Sequence, residues 1–155
     1  MQSWQMEPYQ YGDRRMPHHC FPPKQLTIDQ LHKLSGVIHY KVDLSDLAAT
    51  KKRLSNIRQS KNKVASDVLT IDENVRDFEK LCESLYEPIE KKEDEVFFIL
   101  DGSMYYDIEF AEEEWIRIYL ERGDLIVIPK GKPFRCTVTS KNYAKIQRFA
   151  NQGSR

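Results

Sequence analysis

Two hydrophobic periods divide the chain. Up to about residue 86 the apolar positions recur mainly at helical spacing, and beyond residue 95 they alternate or run continuously, as strands do. Residues 28–35 predict a first helix. Thr27 can cap it with Gln30 three residues on, and Gly36 sits where a C-terminal glycine belongs. Residues 37–42 read as a short strand. Residues 45–58 predict a second helix with Leu47, Leu54 and Ile57 on one face. Residues 68–71 read as a short strand. Residues 73–85 predict a third helix, with Val75, Phe78, Cys82 and Leu85 at 3, 4 and 3 spacing.

The second half predicts only strands. Residues 96–100 form a continuous apolar run, Asp101-Gly102 is a hairpin signal, and 105–110 is the return strand. Residues 115–120 alternate, with Ile116, Ile118 and Leu120 on one face. Strands at 125–128, 134–139 and 143–150 follow, separated by turns at 122–124 and 129–131. Short strands bounded by turn residues indicate an all-β barrel or sandwich, so the architecture reads as helices first and a barrel second. Residues 1–25 carry Pro8, Pro17, Pro22 and Pro23 and no period. They read as an extended arm wrapped on the domain, burying Trp4, Met6, Tyr9 and Tyr11.

A length of 155 residues predicts a single domain over 1–155: the arm at 1–25, a helix-rich part at 26–86 and barrel strands at 87–150. Apolar residues at 40% are too many for a disordered chain. Lys plus Arg and Asp plus Glu are both 24, and this zero balance argues against a nucleic-acid binder. No apolar run approaches the roughly 20 residues that span a bilayer, which argues against membrane insertion, and residues 1–11 are not of signal-peptide type. Cys20, Cys82 and Cys136 are too few and too widely spaced for a disulfide framework. A reducing compartment is expected: the cytoplasm, with the nucleus as a second location.

Local clusters add little chemistry. Lys51, Lys52, Arg53 and Arg58 could touch phosphates but read first as a solvated helix surface. His18-His19-Cys20 is ligand-like, yet adjacent side chains rarely converge on one ion. The acidic group Glu87, Glu90, Glu93, Asp94 and Glu95 is interleaved with Lys91 and Lys92 and reads as a solvated turn. Cys136 reads as a buried small hydrophobe, and Ser103 as a turn residue. There is no Ser-His-Asp set, no phosphate-binding glycine loop and no CxxC.

Three stretches resemble the acireductone dioxygenase family, metal-dependent cupin enzymes of methionine salvage. They are Glu95-Val96-Phe97-Phe98-Ile99-Leu100-Asp101-Gly102-Ser103, Trp115-Ile116-Arg117-Ile118, and the run from Glu121 through Gly123 and Pro129 to Gly131, followed by Lys141-Asn142-Tyr143. Met16-Pro17-His18 and Tyr40-Lys41-Val42-Asp43 are also similar, so the likeness extends from about Trp4 to Phe149. It implies a mainly β fold, a jelly-roll cupin barrel with two or three flanking helices in the N-terminal half.

The resemblance also implies a site. Family members bind one Fe²⁺ or Ni²⁺ through two His separated by one residue, a Glu four positions on, and a further His in the second cupin motif. With iron, they split an acireductone with O₂ into formate and a keto acid. The glycine spacing places these ligand positions at Ile89, Lys91, Glu95 and Phe134, of which only Glu95 is ligand-competent. An Arg expected to hold substrate two residues after the Glu is Phe97 here. Family members continue well past Phe149 with a segment over the barrel mouth, whereas this sequence stops at Arg155.

The implied protein is a catalytically inactive homologue with no catalytic, cofactor-binding or metal-binding residue and no cofactor. It would act through binding, either to an unidentified protein, such as an active family member, or to a small ligand in a dry pocket. Two other readings stand beside it. One is an active Fe/Ni-dependent dioxygenase using unidentified ligands, and the other is a cupin binding module outside methionine salvage. A buried carboxylate needs a partner or a proton, and Lys91 is the expected partner of Glu95. In the bland alternative both lie at the barrel rim in water.

Overall fold

The computed structural model describes residues 1–151. In chain order its elements are β1 (Gln2–Gln5), β2 (Gln25–Leu26), α1 (Ile28–Ser35), β3 (Ile38–Lys41), α2 (Leu47–Ser60), β4 (Lys63–Asp72) and α3 (Phe78–Tyr86). Five strands complete the chain: β5 (Glu95–Ala111), β6 (Glu114–Glu121), β7 (Asp124–Ile128), β8 (Phe134–Val138) and β9 (Tyr143–Asn151). None of these helices is long and apolar enough to cross a membrane.

The long strand β5 belongs to both faces of a curled half-barrel. Its first part pairs with β7 and β9, and its second part with β6 and β8. One face therefore runs β4-β9-β5-β7-β3, and the other runs β2-β1-β6-β5-β8. Inward side chains of both faces form the main core, among them Met104, Tyr106, Ile118, Ile126 and Ile146. All five residues of β7 are buried. Ile126 and Ile128 join that core, while Leu125 and Val127 point the other way into a second cluster with Val42, Ile57, Val96, Phe98 and Phe149.

Several local expectations hold. In α1, Thr27 accepts from the Gln30 amide at 3.1 Å and its own amide donates to the Gln30 side chain at 2.9 Å, while Gly36 closes the helix at φ +80°. The arm does wrap: β1 pairs with β6, and Trp4 and Met6 are buried. The buried Arg117 holds the arm from inside. Its guanidinium pairs with buried Asp107 at 2.7 and 2.8 Å and also donates to the carbonyl oxygens of Arg14 and Met16. Arg135 shares the same carboxylate at 2.9 Å.

Other expectations are corrected. Asp101-Gly102 is no hairpin; β5 runs straight through it with a bulge between Ile99 and Asp101. Gly102 is needed for close approach, because a Cβ there would lie 2.3 Å from the Tyr143 carbonyl oxygen. The hairpin falls at 111–114 instead, with Glu113 at φ +58°. The strand predicted at 68–71 is the ten-residue β4, because pairing along β9 recruits polar residues that have no strand pattern of their own. Helix α3 starts at Phe78, and Val75 is an exposed turn residue. Leu47, Tyr9 and Tyr11 are exposed rather than packed.

Candidate functional site

The half-barrel is open between β4 and β9 on one side and β8 with the segment 84–91 on the other. The opening is a cleft of 630 Å³, and Ile89, Lys91, Glu95 and Phe134 all line it. Glu95 is the first residue of β5 and Phe134 the first of β8. Ile89 is clamped to Phe134 by two backbone hydrogen bonds of 2.9 Å, one in each direction. The four positions read from glycine spacing are thus brought together by strand pairing.

The floor of this cleft is aromatic. The Phe97 ring lies 4.9 Å from that of Tyr106 and 5.8 Å from that of Phe134. Each pair sits at the centroid distances that favour tilted or edge contacts, so the rings make a cohesive apolar wall. Cys136 follows Phe134 on the same face. Burial pushes its thiol up to about 12, with Asp107 adding to the shift, so it is a small hydrophobe as expected.

Glu95 brings charge beside these rings, and its partner corrects the expectation. The carboxylate pairs with the Lys63 ammonium at 3.9 Å, not with Lys91. Lys63 is 1% exposed at the side chain and Glu95 is 17% exposed. The Lys63 ammonium also donates to the Asp94 carbonyl oxygen and the Asn151 side-chain oxygen, both at 2.5 Å. Burial raises the Glu95 carboxyl above its ordinary range, against the pull of Lys63, Lys91 and Arg148. Burial also lowers the Lys63 ammonium, against the pull of Glu95, Glu93 and Asp94. Lys91 lines the cleft half-buried and contributes only its longer-range field. Lys63 lies far from Glu95 in sequence, on a strand longer than its pattern suggests, so no local signal announced it.

A second pair was likewise invisible. Arg148 on β9 holds Asp67 on β4 in a two-pronged contact of 2.9 and 2.6 Å, and both residues line the cleft. The hydrogen bond from Arg148 holds the Asp67 carboxyl below its usual range.

The histidines serve elsewhere. His39 bonds buried Asp124 at 2.8 Å, His18 bonds the Asp13 carbonyl oxygen at 2.7 Å, and His19 stacks on Trp4 at 4.4 Å. Among the acidic group beside Glu95, Asp94 pairs with Lys61 at 2.9 Å and accepts the Lys130 amide. The other three, Glu87, Glu90 and Glu93, are exposed, as a solvated turn requires. Among the described residues no three His, Cys, Asp or Glu side chains converge on a point where an ion could sit.

The donor set therefore does not fit Fe²⁺ or Ni²⁺. Such an ion needs several converging imidazole or carboxylate donors; no imidazole lines this cleft, and of its carboxylates Glu95 faces a buried ammonium, Asp67 is held by Arg148 and Glu87 is exposed. What the arrangement can do is hold an apolar group against Phe97 and Phe134, beneath a rim carrying Lys91 and the Arg148–Asp67 pair.

Comparison with known proteins points the same way. Residues 2–154 match the ARD/ARD′ family. The chain is 52% identical over 149 residues to a Caenorhabditis briggsae protein named "Probable inactive acireductone dioxygenase 2", covering 96% of this chain and 94% of that one. It is 50% identical, with the same coverage, to "Probable inactive acireductone dioxygenase 1" of Caenorhabditis elegans. It is 36% identical over 150 residues to the acireductone dioxygenase of Homo sapiens, covering 96% of this chain and 82% of that one. The structure of an acireductone dioxygenase from Bacillus anthracis, with a cadmium ion in its active centre, superposes with a TM-score of 0.74 at 18% identity, covering 83% of this chain and 88% of that one. That likeness makes the half-barrel a cupin fold.

Proposed function

The chain belongs to the acireductone dioxygenase (ARD/ARD′) family, and from that premise we propose that it is a member without dioxygenase activity, which acts by binding rather than by turnover. One observation carries the proposal. The cleft brings together the four residues that the resemblance implies as ligand positions, yet Ile89 and Phe134 have no donor, Lys91 brings a cation, and Glu95 is paired with Lys63. A divalent ion entering there would meet one shared carboxylate and two positive charges. Two relatives named as inactive, at 50% identity or more, support the reading.

The ligand of such a protein is a small molecule with an apolar body, or a protein segment that presents one to the cleft. An active member of the same family is one candidate partner. A role beside methionine salvage comes with the family. The cytoplasm or nucleus suits the three free cysteines.

The test is elemental analysis of the purified protein together with acireductone turnover, on wild type and on the Ile89→His/Lys91→His/Phe134→His variant. Wild type is expected to carry no stoichiometric iron or nickel and to be inactive, and the variant to gain metal. Stoichiometric metal in wild type, lost on Glu95→Gln, would overturn the proposal.

A further inference from the structure

Between residues 47 and 66 the chain carries six cations, Lys51, Lys52, Arg53, Arg58, Lys61 and Lys63, and no carboxylate. In a chain of zero net charge this is a strong local excess. Lys61 and Lys63 are answered by Asp94 and Glu95. Arg53 lies over the Tyr40 ring at 4.7 Å, and Arg58 donates to the Val64 carbonyl oxygen at 3.3 Å. Lys51 and Lys52 are exposed and make no ion pair among the described residues.

Ser55 stands in the middle of this tract. It is exposed, and its hydroxyl makes no hydrogen bond among the described residues. Lys51 is four residues before it and Arg58 three after, so all three share one face of α2. The structure bears this out: Lys51, Ser55, Arg58 and Gln59 together line a shallow cleft of 560 Å³ between α2 and the start of β4. Lys52 and Arg53 occupy the third and second positions before the hydroxyl.

We propose that Ser55 is a phosphorylation site for a serine/threonine kinase whose peptide groove is lined with carboxylates. Lys52 and Arg53 are the charges that such a groove reads. In the transfer, the Ser55 oxygen forms a bond to the γ-phosphorus of ATP, and the bond from that phosphorus to the ADP oxygen breaks. The hydroxyl proton passes to the kinase's catalytic carboxylate.

A kinase groove takes an extended chain, so α2 must open for the reaction. Only Thr50 and Ile57 of its fourteen residues are buried, which makes it an inexpensive element to open. When the helix re-forms, the phosphate lies within reach of Lys51, Lys52 and Arg58, which can donate charge-assisted hydrogen bonds to it. The helix then changes from four uncompensated positive charges to about two. The folded helix is retained, with a weaker positive field on this face.

The test uses the full chain, magnesium ATP and the catalytic subunit of cyclic-AMP-dependent protein kinase, with intact-mass and fragment analysis. One phosphate per chain at Ser55 is expected. Ser55→Ala is expected to abolish it, and Lys52→Gln or Arg53→Gln to slow it about tenfold each, the worth of one charge-assisted contact. Far-UV circular dichroism confirms that each variant is folded. Incorporation at Thr50 or Ser60 instead would overturn the proposal. So would no incorporation under conditions that label a standard basic serine peptide.

Discussion

The Lys63 ammonium stands 3.9 Å from the Glu95 carboxylate, and the two residues begin strands β4 and β5. The pair supplies positive charge to a carboxylate in a place with little water. It also ties three parts of the chain, since Lys63 grips the Asp94 carbonyl oxygen and Asn151 at the end of β9. The Glu95 carboxylate is therefore a structural group, and its removal is less harmful than the removal of its partner.

Lys63→Met is expected to destabilise the protein by about 3 kcal/mol, the low end for a broken buried pair, because Glu95 keeps some contact with water. Adding Glu95→Gln should restore part of that loss by removing the orphaned charge. Urea unfolding at neutral pH measures both, and a loss below about 0.5 kcal/mol for Lys63→Met would contradict the pairing.

The pH dependence follows from burial. A carboxyl raised above its ordinary 4.5 binds its proton more tightly in the folded state than in the unfolded chain. Glu95 therefore lowers stability progressively as pH rises from 4.5 through its folded value, and the cost is constant above that. The stability difference between wild type and Glu95→Gln should shift against wild type over this window. A flat difference would show that Glu95 titrates as a solvated side chain.

Asp107 serves two buried or half-buried guanidinium groups, so the two ends of this network are unequal. Asp107→Ala strands Arg117 in the core and is expected to cost about 3–5 kcal/mol. Arg117→Met leaves Asp107 with Arg135 and should cost less. Because Arg117 also holds the carbonyl oxygens of Arg14 and Met16, hydrogen exchange should accelerate across the arm in both variants.

Gly102→Ala drives a methyl group to 2.3 Å from the Tyr143 carbonyl oxygen, which separates β5 from β9. A loss of more than about 2 kcal/mol is expected, against about 1–2 kcal/mol at Gly131, which has the same backbone handedness but open space. Thermal unfolding of the two variants side by side decides the matter.

Cys136, at about 12, should resist alkylation at neutral pH. Burial disfavours its thiolate, the reactive form, and keeps the reagent away from the sulfur. Cys20, half-exposed, should be modified first, and mass mapping after brief iodoacetamide treatment gives the order.

What could be read directly were features whose causes lie within a few residues. The Thr27–Gln30 cap and Gly36 specify α1, and the alternation of Ile116, Ile118 and Leu120 specifies β6. The family resemblance and the spacing of Glu95, Gly102, Gly123 and Gly131 single out Ile89, Lys91, Glu95 and Phe134, and all four line one cleft. Local pattern and structure part where a distant strand overrides the pattern. Asp101-Gly102 has hairpin chemistry, yet β9 crosses it so closely that β5 stays extended, and β4 is a strand because β9 is there to pair with it.

The sequence by itself determined the family, the three helices and the residue types at the four expected ligand positions, since these depend on residue identity and short spacing. Tertiary structure alone decided which charges meet. Lys63 rather than Lys91 answers Glu95, and Arg148 answers Asp67, because strand pairing brings remote residues within a few ångströms and electrostatics acts on that distance, not on separation along the chain.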